Sequence, residues 1–117
     1  MITSMHSIIY ASDANAARAF LRDVIGLPCI DAHDGWLIFK QPPSELAVHP
    51  ADEPSGRHEL YLMCDDIEAT MAELTAKGAV FTAPVRQAGF GLLTSIQIPG
   101  SGEMGLYQPR HQTAYDL

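Results

Sequence analysis

Apolar positions along the chain fall into short strand-like runs around one helical stretch, and the whole arrangement then restarts. His6-Ser-Ile-Ile-Tyr-Ala11 is rich in β-branched and aromatic residues and predicts a strand. Ser12 and Asp13 offer an N-cap. Ala17, Phe20, Leu21, Val24 and Ile25 then recur at helical spacing until Gly26 supplies a stop. Residues 27–32 (LPCIDA) and 35–41 (GWLIFKQ) read as two strands about a turn at His33-Asp34-Gly35, and 45–49 (ELAVH) as a fourth strand after the Pro42-Pro43-Ser44 break. This is module one, residues 4–50, with the order β-α-β-β-β.

A polar connector bearing Pro and Gly, residues 51–57, precedes module two, residues 58–109. HELYLMC (58–64) predicts its first strand. Asp65 with Glu68 forms a capping box, and Ile67, Met71 and Leu74 line one helix face that stops at Gly78. AVFTAP is a short strand, GFGLLTSIQI (89–98) a long one, PGSG a turn and EMGLYQ the last strand. Residues 110–117 form a loosely held tail. A single offset of 52 residues carries His6 to His58, Asp13 to Asp65 and Gly26 to Gly78. Matching strand start, helix cap and helix stop at once marks an internal repeat of a supersecondary unit. Side chains alternate along a strand, so His6, Ile8 and Tyr10 share one face, Ser7, Ile9 and Ala11 the other, and His58, Leu60, Leu62 and Cys64 share a face in the repeat. The expected class is α+β: two βαβββ modules pairing into a curved mixed sheet around a cup, helices outside, with His6 and His58 converging on the cup.

The 117 residues fit one domain, and no apolar run approaches the ~18 residues of a membrane span. No basic stretch precedes an apolar segment at the N-terminus, so no secretory leader is expected and the cytoplasm is the expected location. Seven Lys and Arg against fourteen Asp and Glu leave a net charge of −7, which repels nucleic acid and attracts cationic ligands. Cys29 and Cys64 form no CxxC pair and read as reduced structural thiols.

The doubled unit, the histidine opening each module and the closing GLYQP strand make the chain, from His6 to Pro109, resemble the vicinal oxygen chelate superfamily: glyoxalase I, bleomycin-resistance proteins and extradiol dioxygenases. Metal-using members take one ligand from the first and last strand of each module. The resemblance therefore implies His6 and His58 as ligands, with Glu45 or His49 from ELAVHP. The last strand of module two is GEMGLYQP, and Gly105 stands where metal-binding relatives carry a glutamate. Glu103, two residues earlier on the same face, is a substitute. Imidazole and carboxylate donors suit Zn²⁺, Fe²⁺, Ni²⁺ or Mn²⁺ with open positions for two substrate oxygens, and Glu45 or Glu103 would move a proton. Members often dimerise, so a homodimer is implied too.

Two functions follow from the resemblance. One is a metal-dependent lyase, isomerase or dioxygenase acting on a small oxygen-bearing molecule. The other is a metal-free protein that binds or sequesters a small molecule, as the bleomycin-resistance branch does. Tyr10, Trp36, Phe39, Phe90, Leu92 and Tyr107 are the candidate ligand-lining residues, although each also fits a plain core, just as a strand-initial histidine also fits a hydrogen-bonded rim. GFG at 89–91 permits close backbone approach but precedes no helix, so it is no phosphate loop, and no nucleotide cofactor is expected.

Overall fold

The computed structural model describes residues 1, 6–54 and 56–117. Helix α1, Ala14–Phe20, is capped by Asp13, whose Oδ1 accepts the Ala16 N–H at 3.0 Å. It widens into a π-helical turn, Leu21–Ile25, and ends where Gly26 takes the left-handed conformation (φ 83°). Strands β1, Cys29–Asp31, and β2, Leu37–Phe39, form an antiparallel hairpin. Its turn runs through consecutive positive-φ residues, Asp34 (46°) and Gly35 (85°), and Asp31 accepts the Gly35 N–H.

Module two holds β3, Tyr61–Met63; α2, Ile67–Ala76; β4, Arg86–Ala88; β5, Gly91–Ile98; and β6, Gly102–Pro109. The cap of α2 is Asp66, one residue later than expected, because its Oδ1 reaches the Ala69 N–H at 3.1 Å. The four strands run in the order β3-β6-β5-β4, with β3 parallel to β6 and the remaining pairs antiparallel. The class is α+β, as expected, and the sheets stay open.

Both helices cover one face of the four-stranded sheet. Ala17 and Phe20 from α1 and Leu74 from α2 meet Ile96, Ile98 and Met104, with Leu62 and Phe81 at the margin. Ile67, Ile96 and Leu106 are fully buried. The expected strands 6–11 and 45–49 join no sheet. Residues 6–11 still alternate as read, with Ile9 and Ala11 against the core while Ile8 and Tyr10 are exposed. This segment is tied to the β5–β6 turn by Ser12 N–H to Gly100 O (2.6 Å) and by Ser101 Oγ to Tyr10 O (2.7 Å).

Module one is thinly covered. Ile30, Ile38, Leu46 and Val48 are exposed, the last two at 80% and 92%. The accessible surface is 8706 Å², against about 6,200 Å² for a compact monomer of 12.7 kDa. The radius of gyration is 15.1 Å, against about 13 Å for a compact domain of this length.

Candidate functional site

Strand pairing defines the face of the sheet turned away from the helices. Tyr61 lies opposite Gly105, and Met63 and Leu93 both lie opposite Tyr107. Glu103, Gly105 and Tyr107 therefore share this face with Tyr61, at alternate positions along their strands.

Tyr107 is its floor, only 9% exposed. Tyr61 and Phe90 meet it edge-on, with ring centroids 5.6 and 5.8 Å away and planes inclined by 89° and 82°. His111 lies 6.2 Å away on a tilted ring. Tyr61 and Phe90 are on opposite flanks, because β6 runs between β3 and β5. Both walls are open to solvent, at 42% and 47%.

A polar cluster ties the floor down. The Tyr107 hydroxyl donates to Glu45 Oε1 at 3.1 Å, and the Ala114 N–H donates to Glu45 Oε2 at 2.8 Å. His111 Nε2 is 3.4 Å from the hydroxyl and 3.7 Å from Glu45 Oε1. The Ala114 N–H, with help from Tyr107 and His111, holds the Glu45 carboxyl below its ordinary range even though burial works against it. Burial, then the adjacent Glu45 carboxylate, pushes the Tyr107 phenol up to about 12. At neutral pH Tyr107 is a donor and Glu45 an anionic acceptor, so Tyr107 cannot serve as a base.

Gly105 has no side chain because Tyr61 fills the space. A Cβ there would overlap the Tyr61 ring at Cδ1 and Cε1 and lie 3.0 Å from Cγ. The Tyr61 hydroxyl donates to Glu59 Oε2 at 2.8 Å, and the same carboxylate pairs with Arg57. Beyond Met63 the face continues into a shallow depression of about 410 Å³ lined by Met63, Cys64, Asp65, Gln108, Pro109 and Tyr115. Burial pushes the Cys64 thiol up, and its Sγ lies 3.7 Å from Tyr107 O, a weak contact for an unreactive thiol.

Of the residues singled out from the sequence, the structure brings Glu45, Phe90 and Tyr107 together. His6, His49, His58 and Glu103 are exposed. His49 Nδ1 is 2.7 Å from Pro50 O. Regular pairing of β3 begins only at Tyr61, and Leu62, read as sharing a face with His58, packs on the core side. Tyr10 is exposed near the β5–β6 turn. Trp36 sits at the β1–β2 hairpin under the Arg18 guanidinium, 4.6 Å from its ring centre. Phe39 is half-buried and pairs with Cys29. Leu92 pairs with Gln108, at the parity of the helix-covered face. Tyr61 and His111 were not singled out. A large ring opposite a glycine was the available signal for Tyr61, and it requires the strand register. Nothing local marks His111.

The metal expected from the resemblance would need His6, His58, Glu45 or His49, and Glu103 to converge. Among the described residues, no three His, Cys, Asp or Glu side chains stand close enough to hold an ion. Glu45 is engaged by Tyr107 and Ala114, and the place of a carboxylate at 105 is taken by a ring. Within one chain the donors do not fit the metal.

The family model described as Glyoxalase/Bleomycin resistance protein/Dioxygenase superfamily matches residues 4–102. No curated protein matches the chain. Among solved structures, TnmS3, an antibiotic binding protein from Streptomyces sp. CB03234, is 22% identical with a TM-score of 0.67, covering 93% of this chain and 98% of its own. Lactoylglutathione lyase from Agrobacterium tumefaciens is 21% identical with a TM-score of 0.65, covering 91% and 92%. A superfamily member from Sphaerobacter thermophilus DSM 20745 is 21% identical with a TM-score of 0.64, covering 92% and 98%. At such identities these likenesses bear on the fold alone.

Proposed function

Since the chain belongs to the glyoxalase/bleomycin resistance protein/dioxygenase superfamily, we propose that it is a metal-independent small-molecule binding protein whose ligand rests on the aromatic face of the four-stranded sheet. The observation that carries this reading is the Tyr61 ring over Gly105, which replaces a donor position with an apolar surface beside Tyr107 and Phe90. The acidic balance of the chain favours cationic ligands. Antibiotic binding by the TnmS3 structure is in keeping with it. A thermal-shift screen of chelator-treated protein against cationic glycopeptides and aromatic compounds tests it. Saturable stabilisation by a member of either class is expected. Stabilisation only after a divalent ion is restored would overturn it.

A metal-dependent lyase, isomerase or dioxygenase is the rival reading. Its support is Glu45 on the open face with His111 beside it at 3.7 Å. It requires further donors, and metal analysis separates the two.

The working form in this proposal is a homodimer. About 2,500 Å² of surface per chain beyond the compact expectation, or about 5,000 Å² for two copies, with Ile30, Ile38, Leu46 and Val48 exposed, is on the scale that a large obligate interface buries in total. A two-stranded hairpin such as β1–β2 is marginal without a neighbour, and a second copy over module one would supply one.

A further inference from the structure

We infer that Tyr61 is the specificity-determining residue of the open face: its ring takes the space where metal-holding relatives project a carboxylate, and it turns that position into a stacking surface for a flat, neutral or cationic aromatic ligand. The inference rests on the metal-independent binding reading and names its ligand class.

Gly105 shows how tightly the two positions are coupled. Its backbone is not in the left-handed region, so chain conformation does not demand a glycine. Gly91 differs, since a Cβ there would strike the Gln108 backbone. At Gly105 the three atoms nearest to an added Cβ all belong to the Tyr61 ring. A carboxylate at 105 and a ring at 61 are therefore mutually exclusive, and this chain has the ring.

The ring is fixed before any ligand arrives. Gly105 lies beneath it, Tyr107 meets it edge-on, and Glu59 holds its hydroxyl. Tyrosine has two side-chain torsions, so little freedom remains to be lost on binding. Phe90 stands on the far flank of Tyr107, so two partly exposed rings flank a buried third. Planar molecules gain by stacking on such rings, whereas saturated molecules of equal size gain only area. The Glu45 carboxylate at the Tyr107 hydroxyl disfavours anions, while Glu59 beside Tyr61 is paired with Arg57.

The test uses the full chain, treated with chelator and titrated by fluorescence or calorimetry with three flat probes: cationic proflavine, neutral phenazine and anionic naphthalene-2-sulfonate. Proflavine and phenazine should bind, and the sulfonate should bind least. Tyr61→Phe should keep close to wild-type affinity. Tyr61→Ala and Tyr61→Leu should each lose about tenfold or more, and the leucine variant separates stacking from mere filling of space. Gly105→Ala should lose affinity with Tyr61 still present, because the added methyl displaces the ring. The double variant Tyr61→Ala with Gly105→Ala should be no worse than Tyr61→Ala alone.

Proflavine affinity unchanged in Tyr61→Leu would overturn the role of Tyr61 and leave the binding reading standing. A Gly105→Ala protein with wild-type affinity would do the same; should that variant not fold, the phenylalanine and leucine variants decide alone. Absence of binding by the wild type would overturn both claims. Binding that appears only with added Zn²⁺ would overturn metal independence, and Tyr61→Leu measured with Zn²⁺ would then decide the role of the ring.

Discussion

Replacing Tyr107 by phenylalanine removes one atom from the most interconnected point of the open face. The lost hydroxyl donates to Glu45 at 3.1 Å and lies 3.4 Å from His111. Hydrogen bonds to charged groups contribute roughly 1.5–3 kcal/mol. Glu45 keeps the Ala114 N–H and its neighbour His111, so no carboxylate is stranded, and the phenylalanine ring retains its contacts with Tyr61 and Phe90. The expected loss is therefore at the low end, about 1.5 kcal/mol, or a drop in midpoint of about 6 °C for a chain of this size. Thermal unfolding by circular dichroism reads that figure. Absorbance titration of the phenols gives an independent check. Of the four tyrosines, Tyr107 should titrate late, near about 12, and that late step should vanish in the variant. The sign follows from linkage. The folded state holds this proton more tightly, so the contribution is complete below about pH 10 and is lost as pH rises toward about 12. A variant as stable as the wild type, with a late-titrating phenol still present, would refute the Tyr107–Glu45 contact.

Three further outcomes are expected. Glu45, whose carboxyl is held below its ordinary range, contributes stability above that range that is lost as pH falls through the lowered value. Acidifying below about pH 4 should therefore cost wild type more than Glu45→Gln in thermal melts, and parallel losses would count against the cluster. Ile96→Ala, at a site with no exposure, should cost about 3–5 kcal/mol in urea unfolding, and a loss under about 1 kcal/mol would place the core elsewhere. Sedimentation equilibrium should give a dimer mass for wild type and a monomer for Leu46→Asp, and a compact wild-type monomer would refute closure by a second copy.

Much of the fold could be read from the chain because its signals are local. Asp13 and Gly26 bracket α1 together with its π-helical turn where cap and stop chemistry put them, and Gly91–Ile98 and Gly102–Pro109 form the expected long hairpin. Segments 6–11 and 45–49 carry strand-like sequence but join no sheet, because a strand needs a partner edge and composition alone supplies none. The α2 cap moved by one residue because Asp65 and Asp66 are chemically equal candidates. In the site, Tyr107 and Phe90 were legible as candidate lining aromatics, and Glu45 through the family resemblance of ELAVHP. Tyr61 was not, since its meaning depends on lying across from Gly105 in the β3–β6 register. His111 reaches Tyr107 only after the chain turns back beyond β6.

Metal content measured alongside ligand binding tests the central claim most directly. Protein purified without chelator would be assayed for divalent ions by mass spectrometry, then titrated with proflavine before and after exhaustive chelation. The account predicts no stoichiometric ion and one binding curve under both conditions. A stoichiometric divalent ion whose removal abolishes proflavine binding would contradict it.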